Sequence, residues 1–414
     1  MHILFLTDNY PPEVNAPASR TFEHCREWVR QGHQVTVITG APNFPAGRVF
    51  SGYRNAWRKV SVEDGIRVVR VKTYITANEG FLKRTLDYLS FMLSATLMSF
   101  FERRPDVVVA TSPQFFTAIA GWVVSITKHR PFVFEVRDLW PATIEAVGAL
   151  RPGIVLSGLY RLEHFLYQRA DAVVLVTEAF RRNLLHRGVD PEKLSVVRNG
   201  VDPAAFSPVE RDQQLAGEHN LANCFVVGYL GTHGVCHALD SVLDAADRLA
   251  HRKDIVFLFV GAGAGRAAVE GRVRQNGMTN VRLVPAQPRE HMPVYYGLCD
   301  VSLVPLKDDP VFSTVIPSKI FECMAMGLPM LVSIPAGETT DIIDNTKAGL
   351  VVSPEDDEVL AETIEYLSDH PAELFELSCA SSSAALDFSR PRQARVMLDV
   401  FEGAIARKNR GGDL

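Results

Sequence analysis

Short apolar runs alternate with amphipathic stretches of helical period along the chain, a pattern that predicts parallel-sheet α/β units. HILFLT (2–7), QVTVIT (34–39), IRVVRV (66–71), VVVAT (107–111), FVFEV (132–136) and AVVLVT (172–177) predict the strands of a first domain, which SVVRNGVD (195–202) closes. Residues 203–223 are polar, carry two prolines and follow no period, so they predict a linker and a hinge. FVVGYLG (225–231) restarts the pattern, followed by IVFLFVG (255–261), VRLVP (281–285), VSLVPL (301–306), PMLVS (329–333) and LVVSP (350–354). After Pro391 one amphipathic helix, about 391–409, ends the pattern with no further strand. The expected domains are therefore 1–202 with the tail helix, and 224–390.

A length of 414 residues suits two domains rather than one core. With 47% hydrophobic and 22% charged residues and a net charge of -5, the chain has no basic field to attract nucleic acid. Its six cysteines (25, 224, 236, 299, 323 and 379) form no CxxC and no His/Cys cluster, so neither a disulfide framework nor a zinc site is predicted. Met1 leads directly into HILFLTDNYPP without a charged n-region, so no signal peptide is predicted and a cytoplasmic location is expected.

The most informative segment is IPSKIFE (316–322), between the apolar run 301–306 and a helix stopped by Gly327 and Pro329. Pro317 and Ser318 occupy the positions of N1 and cap residues, which predicts free backbone N–H groups at a helix start beside Lys319. Glu322, one turn in, can accept hydrogen bonds from two adjacent hydroxyls. Phosphate followed by ribose is the ligand shape that fits amides, ammonium and carboxylate in that order. A first-turn Glu also complements the helix dipole, an alternative that needs no ligand.

In parallel sheets ligands gather at strand C-termini, and two such domains are expected to face each other across a cleft. The turns GTHG (231–234) and GAGAGR (261–266) fall on that side. Each can bring backbone close to a phosphate or sugar, and each can equally be a structural turn. Thr232, His233, Gly261, Gly263 and Arg266, with Val284 and Ala286 after the next strand, are the expected nucleotide contacts beside Ser318, Lys319 and Glu322.

FLTDNYPPE near the N-terminus, RNGVD (198–202), the glycine turn at 231, VGAG (260–263), PSKIFECMAMGLP (317–329) and AGLVVSPED (348–356) appear in an order and spacing that resembles the family-4 glycosyltransferases of the GT-B fold. More narrowly, FEVRDLWPATIEAVGAL (134–150) and NEGFLKRTLDYLSFMLSA (78–95) are similar to bacterial transferases of O-antigen, capsule and colanic acid synthesis, including N-acetyl-L-fucosamine transferases. The resemblance implies two Rossmann-like domains, with the C-terminal helix packing back toward the first. It also implies transfer of a sugar from a UDP-sugar to a hydroxyl of an undecaprenyl-diphosphate-linked saccharide, with retention, without a metal and without a cofactor. No Asp lies two positions from another, so the metal-binding DxD pair of the other major glycosyltransferase fold is absent.

Departures from the family pattern locate the specificity. The family's paired-glutamate motif maps its ribose-binding Glu onto Glu322, but its first Glu falls on Thr314. Thr314, Val315 and Ile316 are therefore expected at the donor sugar, and a donor lacking one hydroxyl, such as a 6-deoxy amino sugar, suits the change. The usual Arg and Lys after the first strand of the second domain align with Thr232 and His237, which shifts charge stabilisation onto Lys319. In the first domain the family's cleft histidine corresponds to the Val136-Arg137-Asp138 segment. Arg137 and Asp138 join Lys319 as expected catalytic residues, with an ion pair stapling a loop as the alternative. Asn15, Ala16 and Arg20, after the first strand, are expected at the acceptor.

The apolar run from Tyr88 to Phe101 is too short to span a bilayer and is flanked by Lys83, Arg84, Arg103 and Arg104. It can lie on an anionic membrane surface or form a buried crossover helix. Two other functions fit a two-domain nucleotide cleft: a UDP-N-acetylglucosamine 2-epimerase, and a nucleotide-sugar-binding protein without catalysis.

Overall fold

The computed structural model describes residues 1–13, 15–44, 46–76, 81–112, 115–142, 145 and 153–411. Of the segments that carry the family resemblance, residues 78–80, 143–144 and 146–150 lie outside this set. The chain divides into two units, residues 1–198 with 390–414, and residues 199–389.

The first unit holds an eight-stranded sheet of β1 (His2–Leu6), β2 (Gln34–Gly40), β3 (Arg58–Glu63), β4 (Ile66–Val71), β5 (Val107–Thr111), β6 (Phe132–Val136), β7 (Ala172–Leu175) and β8 (Leu194–Val196), in the order β3-β4-β2-β1-β5-β6-β7-β8. All pairs are parallel except β3–β4. Both faces of the sheet are covered, which is why its strands read as unbroken apolar runs. Along β1, Leu4 and Leu6 enter one core while Ile3 and Phe5 enter the other.

β3 has no counterpart in the expected strand set. Four of its six residues RKVSVE are polar because it is an edge strand with one partner, and an edge lysine discourages further pairing. Asp64 and Gly65, both at positive φ, form the two-residue turn between β3 and β4. β8 is also shorter than expected, ending at Val196 rather than running to Asp202.

The second unit holds β9 (Phe225–Leu230), β10 (Ile255–Val260), β11 (Val281–Val284), β12 (Val301–Pro305), β13 (Met330–Ser333) and β14 (Gly349–Val352), all parallel, in the order β11-β10-β9-β12-β13-β14. Residues of β10 alternate between the two faces, with Ile255, Phe257 and Phe259 in one core and Val256, Leu258 and Val260 in the other.

Residues 203–223, read as a linker, pack into this second unit. Val201 bridges to Ser389, and Phe206, Ala216 and Leu221 are buried in its core. Asp212 caps a short helix, Gln213–Glu218, by accepting from the Leu215 N–H at 2.9 Å. Three isolated apolar anchors replace a regular period, so the segment looks unstructured to a pattern reading.

The tail helix Arg390–Gly411 belongs to the first unit, as expected. It buries Ala394, Met397, Leu398, Phe401 and Ala404 against the sheet and the helix Ala16–Arg30. Trp28 donates its indole N–H to the Ala394 carbonyl at 2.9 Å and meets Phe401 edge-on.

Arg20, in the same first helix, is fully buried. It donates Nε to Glu135 Oε1 at 2.9 Å and its terminal nitrogens to the carbonyls of Arg198 and Val197 at 2.7 and 2.9 Å. Burial pushes the Glu135 carboxyl up, but the Arg20 and Arg137 guanidiniums outweigh it and hold it below its usual range. Glu135→Gln leaves a desolvated guanidinium without its counter-charge, and a loss of about 3–5 kcal/mol in urea unfolding of the first unit is expected. Asp399→Asn, which breaks an exposed pair with Arg395, should change nothing resolvable. Equal tolerance of the two substitutions would show that the buried pair does not anchor the unit.

Candidate active site

In each sheet the chain winds outward from one central strand and then returns to the other side of it, leaving a crevice at the strand C-termini where the order reverses. In the second unit the reversal lies between β9 and β12. The loops beyond these strands carry GTHG (231–234) and the 306–318 segment that leads into the helix Lys319–Met326.

Lys319 is the first residue of that helix. Its Nζ is shielded from solvent with no hydrogen-bond partner among the described residues, 4.0 Å from the centroid of the Tyr229 ring. Burial lowers its pKa to about 8. His233 is fully buried, and neither ring nitrogen has a partner among the described residues. Burial, with the charges of Arg266 and Lys319, lowers its pKa to about 4, so at neutral pH it is an uncharged imidazole with one donor and one acceptor. Buried polar atoms in native proteins are almost always hydrogen-bonded, so two orphaned groups beside one crevice point to a missing polar ligand.

Glu322 is half-buried, and its Oε2 accepts from the Tyr296 hydroxyl at 3.0 Å. Tyr296 is itself buried and was not among the expected residues; it fixes the carboxylate where a ribose reader is expected. Ser318 sits at the cap position with helical backbone angles and makes no side-chain cap. The amides of Ile320 and Phe321 already donate to the carbonyls of Pro317 and Ser318, so the helix start offers fewer free N–H groups than expected. Gly327 ends the helix at φ 65°, as its position predicts.

Of the two readings of the glycine turns, the structural one accounts for their geometry. A Cβ at Gly261 would collide with the Gly231 carbonyl, and one at Gly263 would lie 2.5 Å from the His233 carbonyl oxygen. Gly261 and Gly263 are thus required by the packing of the two turns on each other. The His233 N–H donates to the Ala262 carbonyl at 2.9 Å and the Gly265 N–H to the His233 carbonyl at 2.7 Å, locking the imidazole in place. Arg266 is likewise engaged, with Nε on Glu270 at 2.6 Å and one terminal nitrogen on the carbonyls of Gly261 and Val284. Thr232 is exposed, and its carbonyl accepts from the Tyr229 hydroxyl at 2.5 Å. Val284 is a core residue, while Ala286 is exposed.

In the expected sugar loop Asp309 caps a single turn by accepting from the Val311 N–H, and the Thr314 hydroxyl donates to the Val311 carbonyl at 2.9 Å. Val315 is exposed, but the Ile316 side chain lies in the core, so only its backbone can meet a ligand. Thr339, absent from the expected set, donates to the Val315 carbonyl at 2.9 Å and pins the loop.

In the first unit the order reverses between β1 and β5. Arg20, expected at the acceptor, is instead buried in the Glu135 pair. Asn15 is the cap of the first helix, accepting from the Ala18 N–H at 2.9 Å and donating to Asn9, and Ala16 is exposed. The Arg137 backbone N–H donates to Ser112 Oγ at 2.8 Å. Its NH1 is buried without a partner among the described residues, and burial lowers its pKa to about 9. Asp138 is half-buried beside it.

Three titratable groups here were missing from the expected set. Glu135 is the one charge inside the apolar run FVFEV, a signal that could have marked it. Asp8 directly follows β1, and burial raises its carboxyl well above the usual range; Asp87 is pushed up to about 7 by burial and by Glu13.

The helix Phe81–Ser99 is two-faced. Phe91, Ala95 and Ser99 are buried, as the crossover reading expects, while Leu86, Leu93 and Leu97, followed by Phe100 and Phe101, are exposed. Lys83, Arg84, Arg103 and Arg104 are exposed at its two ends. Among the described residues no helix is long and apolar enough to cross a membrane.

A glycosyl transferase 4-like domain matches residues 15–200, and the glycosyl transferases group 1 family matches residues 224–370. WcaI of Escherichia coli strain K12, named as a colanic acid biosynthesis glycosyl transferase, is 27% identical over 87% of this chain and 90% of its own length. WbjE of Pseudomonas aeruginosa, named as a glycosyltransferase, is 25% identical over 68% of this chain and 70% of its own length. Among solved structures, sucrose-phosphate synthase from Thermosynechococcus elongatus superposes with a TM-score of 0.76 at 18% identity, covering 98% of this chain and 99% of its own. Anabaena HepE in complex with UDP gives 0.67 at 16% identity, covering 97% and 100%. The two domain matches together span both units, and the chain belongs to the family-4 glycosyltransferases of the GT-B fold.

Proposed function

We propose that the chain transfers a sugar from a UDP-sugar to a hydroxyl of a saccharide carried on undecaprenyl diphosphate, in the synthesis of a bacterial surface polysaccharide, with retention and without a metal or cofactor. The observation that carries the reading is the Lys319 ammonium beside the His233 imidazole at the crevice of the second unit, both buried and without a hydrogen-bond partner among the described residues. A diphosphate leaving group develops negative charge as the glycosidic bond breaks, and preorganised donors in a water-poor site stabilise that charge most. Lys319 supplies the positive charge and neutral His233 an N–H. Glu322, oriented by Tyr296, accepts from the ribose hydroxyls. The name of WcaI supports the polysaccharide assignment, that of WbjE the transferase class, and the UDP bound to HepE the donor class.

The donor sugar meets Val315, the backbone of Ile316 and the Thr314 hydroxyl in place of a carboxylate, which suits an N-acetylated or deoxy sugar such as N-acetyl-L-fucosamine. On the acceptor side the reading moves from Arg20, whose guanidinium is buried in structural contacts, to Asp8 in the loop after β1. Arg137 and Asp138 remain the groups proposed to orient the reacting hydroxyl. The exposed leucines of the helix Phe81–Ser99, with Lys83, Arg84 and Arg103 beside them, are proposed to rest on the cytoplasmic membrane where a lipid-linked acceptor resides.

Incubation with labelled UDP-sugars tests this directly. Transfer that requires the lipid-linked acceptor is expected; acceptor-free isomerisation would indicate an epimerase, and binding alone a non-catalytic protein. Lys319→Met should lower turnover about 100- to 1000-fold while raising the thermal stability of the ligand-free chain, because it removes a buried charge without a partner. The sign of the pH dependence follows from the lowered pKa. Between about pH 8 and the ordinary lysine value the unfolded chain holds a proton that the folded chain has released. The stability gap between variant and wild type should therefore narrow as pH rises through 8, and wild-type donor affinity should fall over the same window.

For Glu322→Ala, a donor affinity about 10- to 100-fold weaker is expected, in line with loss of charge-assisted hydrogen bonds. A donor lacking both ribose hydroxyls should bind wild type and variant alike; a variant penalty that survives with this donor would remove Glu322 from ribose recognition. Sedimentation with phosphatidylglycerol vesicles at low salt should retain wild type more than Leu93→Ser/Leu97→Ser, and equal retention would rule out the leucine face as the contact.

A further inference from the structure

A pocket of about 740 Å³ opens on the first unit away from the strand C-termini, lined by Arg104, Trp122, Arg130, Arg169, Asp171 and Lys408 among others. Arg104, Arg130 and Asp171 lie just ahead of β5, β6 and β7, so the pocket lies at the N-terminal ends of these strands, and the C-terminal ends of β5 and β6 lead to Ser112 and Arg137. In a chain of net charge -5, four permanent cations converge here with one carboxylate.

The single carboxylate is already engaged. Asp171 Oδ2 accepts from the Phe132 N–H at 2.9 Å, and Lys408 Nζ stands 3.5 Å from Oδ1. Arg104 donates Nε to the Lys128 carbonyl at 2.9 Å, and the Arg169 guanidinium lies over the Phe165 ring at 5.3 Å. Arg130 is different: its Nε is buried without a hydrogen-bond partner among the described residues.

Part of the positive charge has an internal explanation. The helices Phe115–Lys128, Ile154–Arg169 and Arg390–Gly411 all bring their C-terminal turns to the pocket, and cations suit helix C-termini. Each helix end carries roughly half a negative charge, so the three ends with Asp171 offset about two and a half of the four positive charges. About one and a half remain, close to the charge of a bound phosphoryl group near neutral pH, about -1 for a diester and roughly -1.5 to -2 for a monoester.

We propose that this pocket is a second anion site, distinct from the nucleotide crevice, that binds a phosphoryl group, with Arg130 donating its free Nε–H and Arg169 and Lys408 closing over the anion. The phosphoryl group comes either from a soluble phosphate or diphosphate or from the headgroup of an acidic phospholipid. The proposal does not depend on the transfer reading.

The test uses the full chain at low ionic strength in two arms: titration calorimetry with inorganic diphosphate, and sedimentation with phosphatidylglycerol against phosphatidylcholine vesicles. Each arm compares wild type with Arg130→Gln and with Arg169→Gln/Lys408→Gln, whose side chains lie at the pocket mouth and whose loss should not disturb folding. Calorimetry is run in the Lys319→Met background, which removes the diphosphate binding proposed at the nucleotide crevice. Binding at least tenfold weaker in both pocket variants than in chains with the pocket intact is the expected result, and the arm in which it occurs identifies the source of the phosphoryl group. No binding in either arm, or binding insensitive to both pocket variants, would overturn the proposal.

Discussion

One helix, Ala16–Arg30, holds both places where the chain passes between its two units. The chain leaves the first unit at Arg198, and the carbonyls of Val197 and Arg198 are bound by Arg20. It returns at Arg390, whose Nε donates to Glu23 at 2.6 Å, one turn along the same helix. Arg20 and Glu23 are both buried, and each is matched by an opposite charge, Glu135 and Arg390. Desolvated charges tolerate little displacement, because moving one partner leaves the other uncompensated in a low-dielectric interior. Trp28 extends the same constraint to the tail helix. The loop after β1 leads into this helix at its Asn15 cap, so the cap is tied to the buried ion pairs as well as to the loop's own sequence.

The strands were legible because both faces of each sheet are covered, which forces short continuous apolar runs of strand length. Reading failed where that condition lapses. β3 is an edge strand with a polar face, and its Asp64-Gly65 turn was the available signal. Residues 203–223 are held by Phe206, Ala216 and Leu221, anchors whose partners lie far away in sequence and leave no local period. The helix start at Lys319 and the carboxylate at Glu322 could be read because a strand, a turn and a capped helix are local events. Tyr296 and Tyr229, which hold them, could not, since their contacts come from other strands and helices.

Residue type alone proved a poor guide to which polar groups serve a ligand. Arg20, Arg266 and Asn15 have the chemistry of ligand-binding residues, yet each is satisfied by the protein itself through carboxylates, carbonyls or a helix amide. The glycines of the two turns are explained by backbone contact between the turns. Lys319, His233 and Arg137 are the contrary case, with buried polar atoms that have no hydrogen-bond partner among the described residues. An unsatisfied buried donor costs about 1–3 kcal/mol, more for a charge, so a chain that keeps several of them at strand C-termini is shaped for something that supplies the missing partners.

The position of Lys319 over Tyr229 shows what holds a buried ammonium that has no hydrogen-bond partner among the described residues. The face of an aromatic ring attracts a cation by roughly 0.5–2 kcal/mol, enough to orient the ammonium but too little to replace its lost hydration. The result is a lysine with its pKa lowered to about 8, still charged at neutral pH and short of a counter-ion. A carboxylate within bonding distance would have relieved the cost, but it would also have competed with an incoming diphosphate. The neutral imidazole of His233 extends the same logic, since it offers an N–H without adding a second positive charge to the crevice. The turn packing that requires Gly261 and Gly263 keeps that imidazole where it is. In the proposed reading, the stability that the buried ammonium costs is available as affinity for an anion whose charge grows during the reaction.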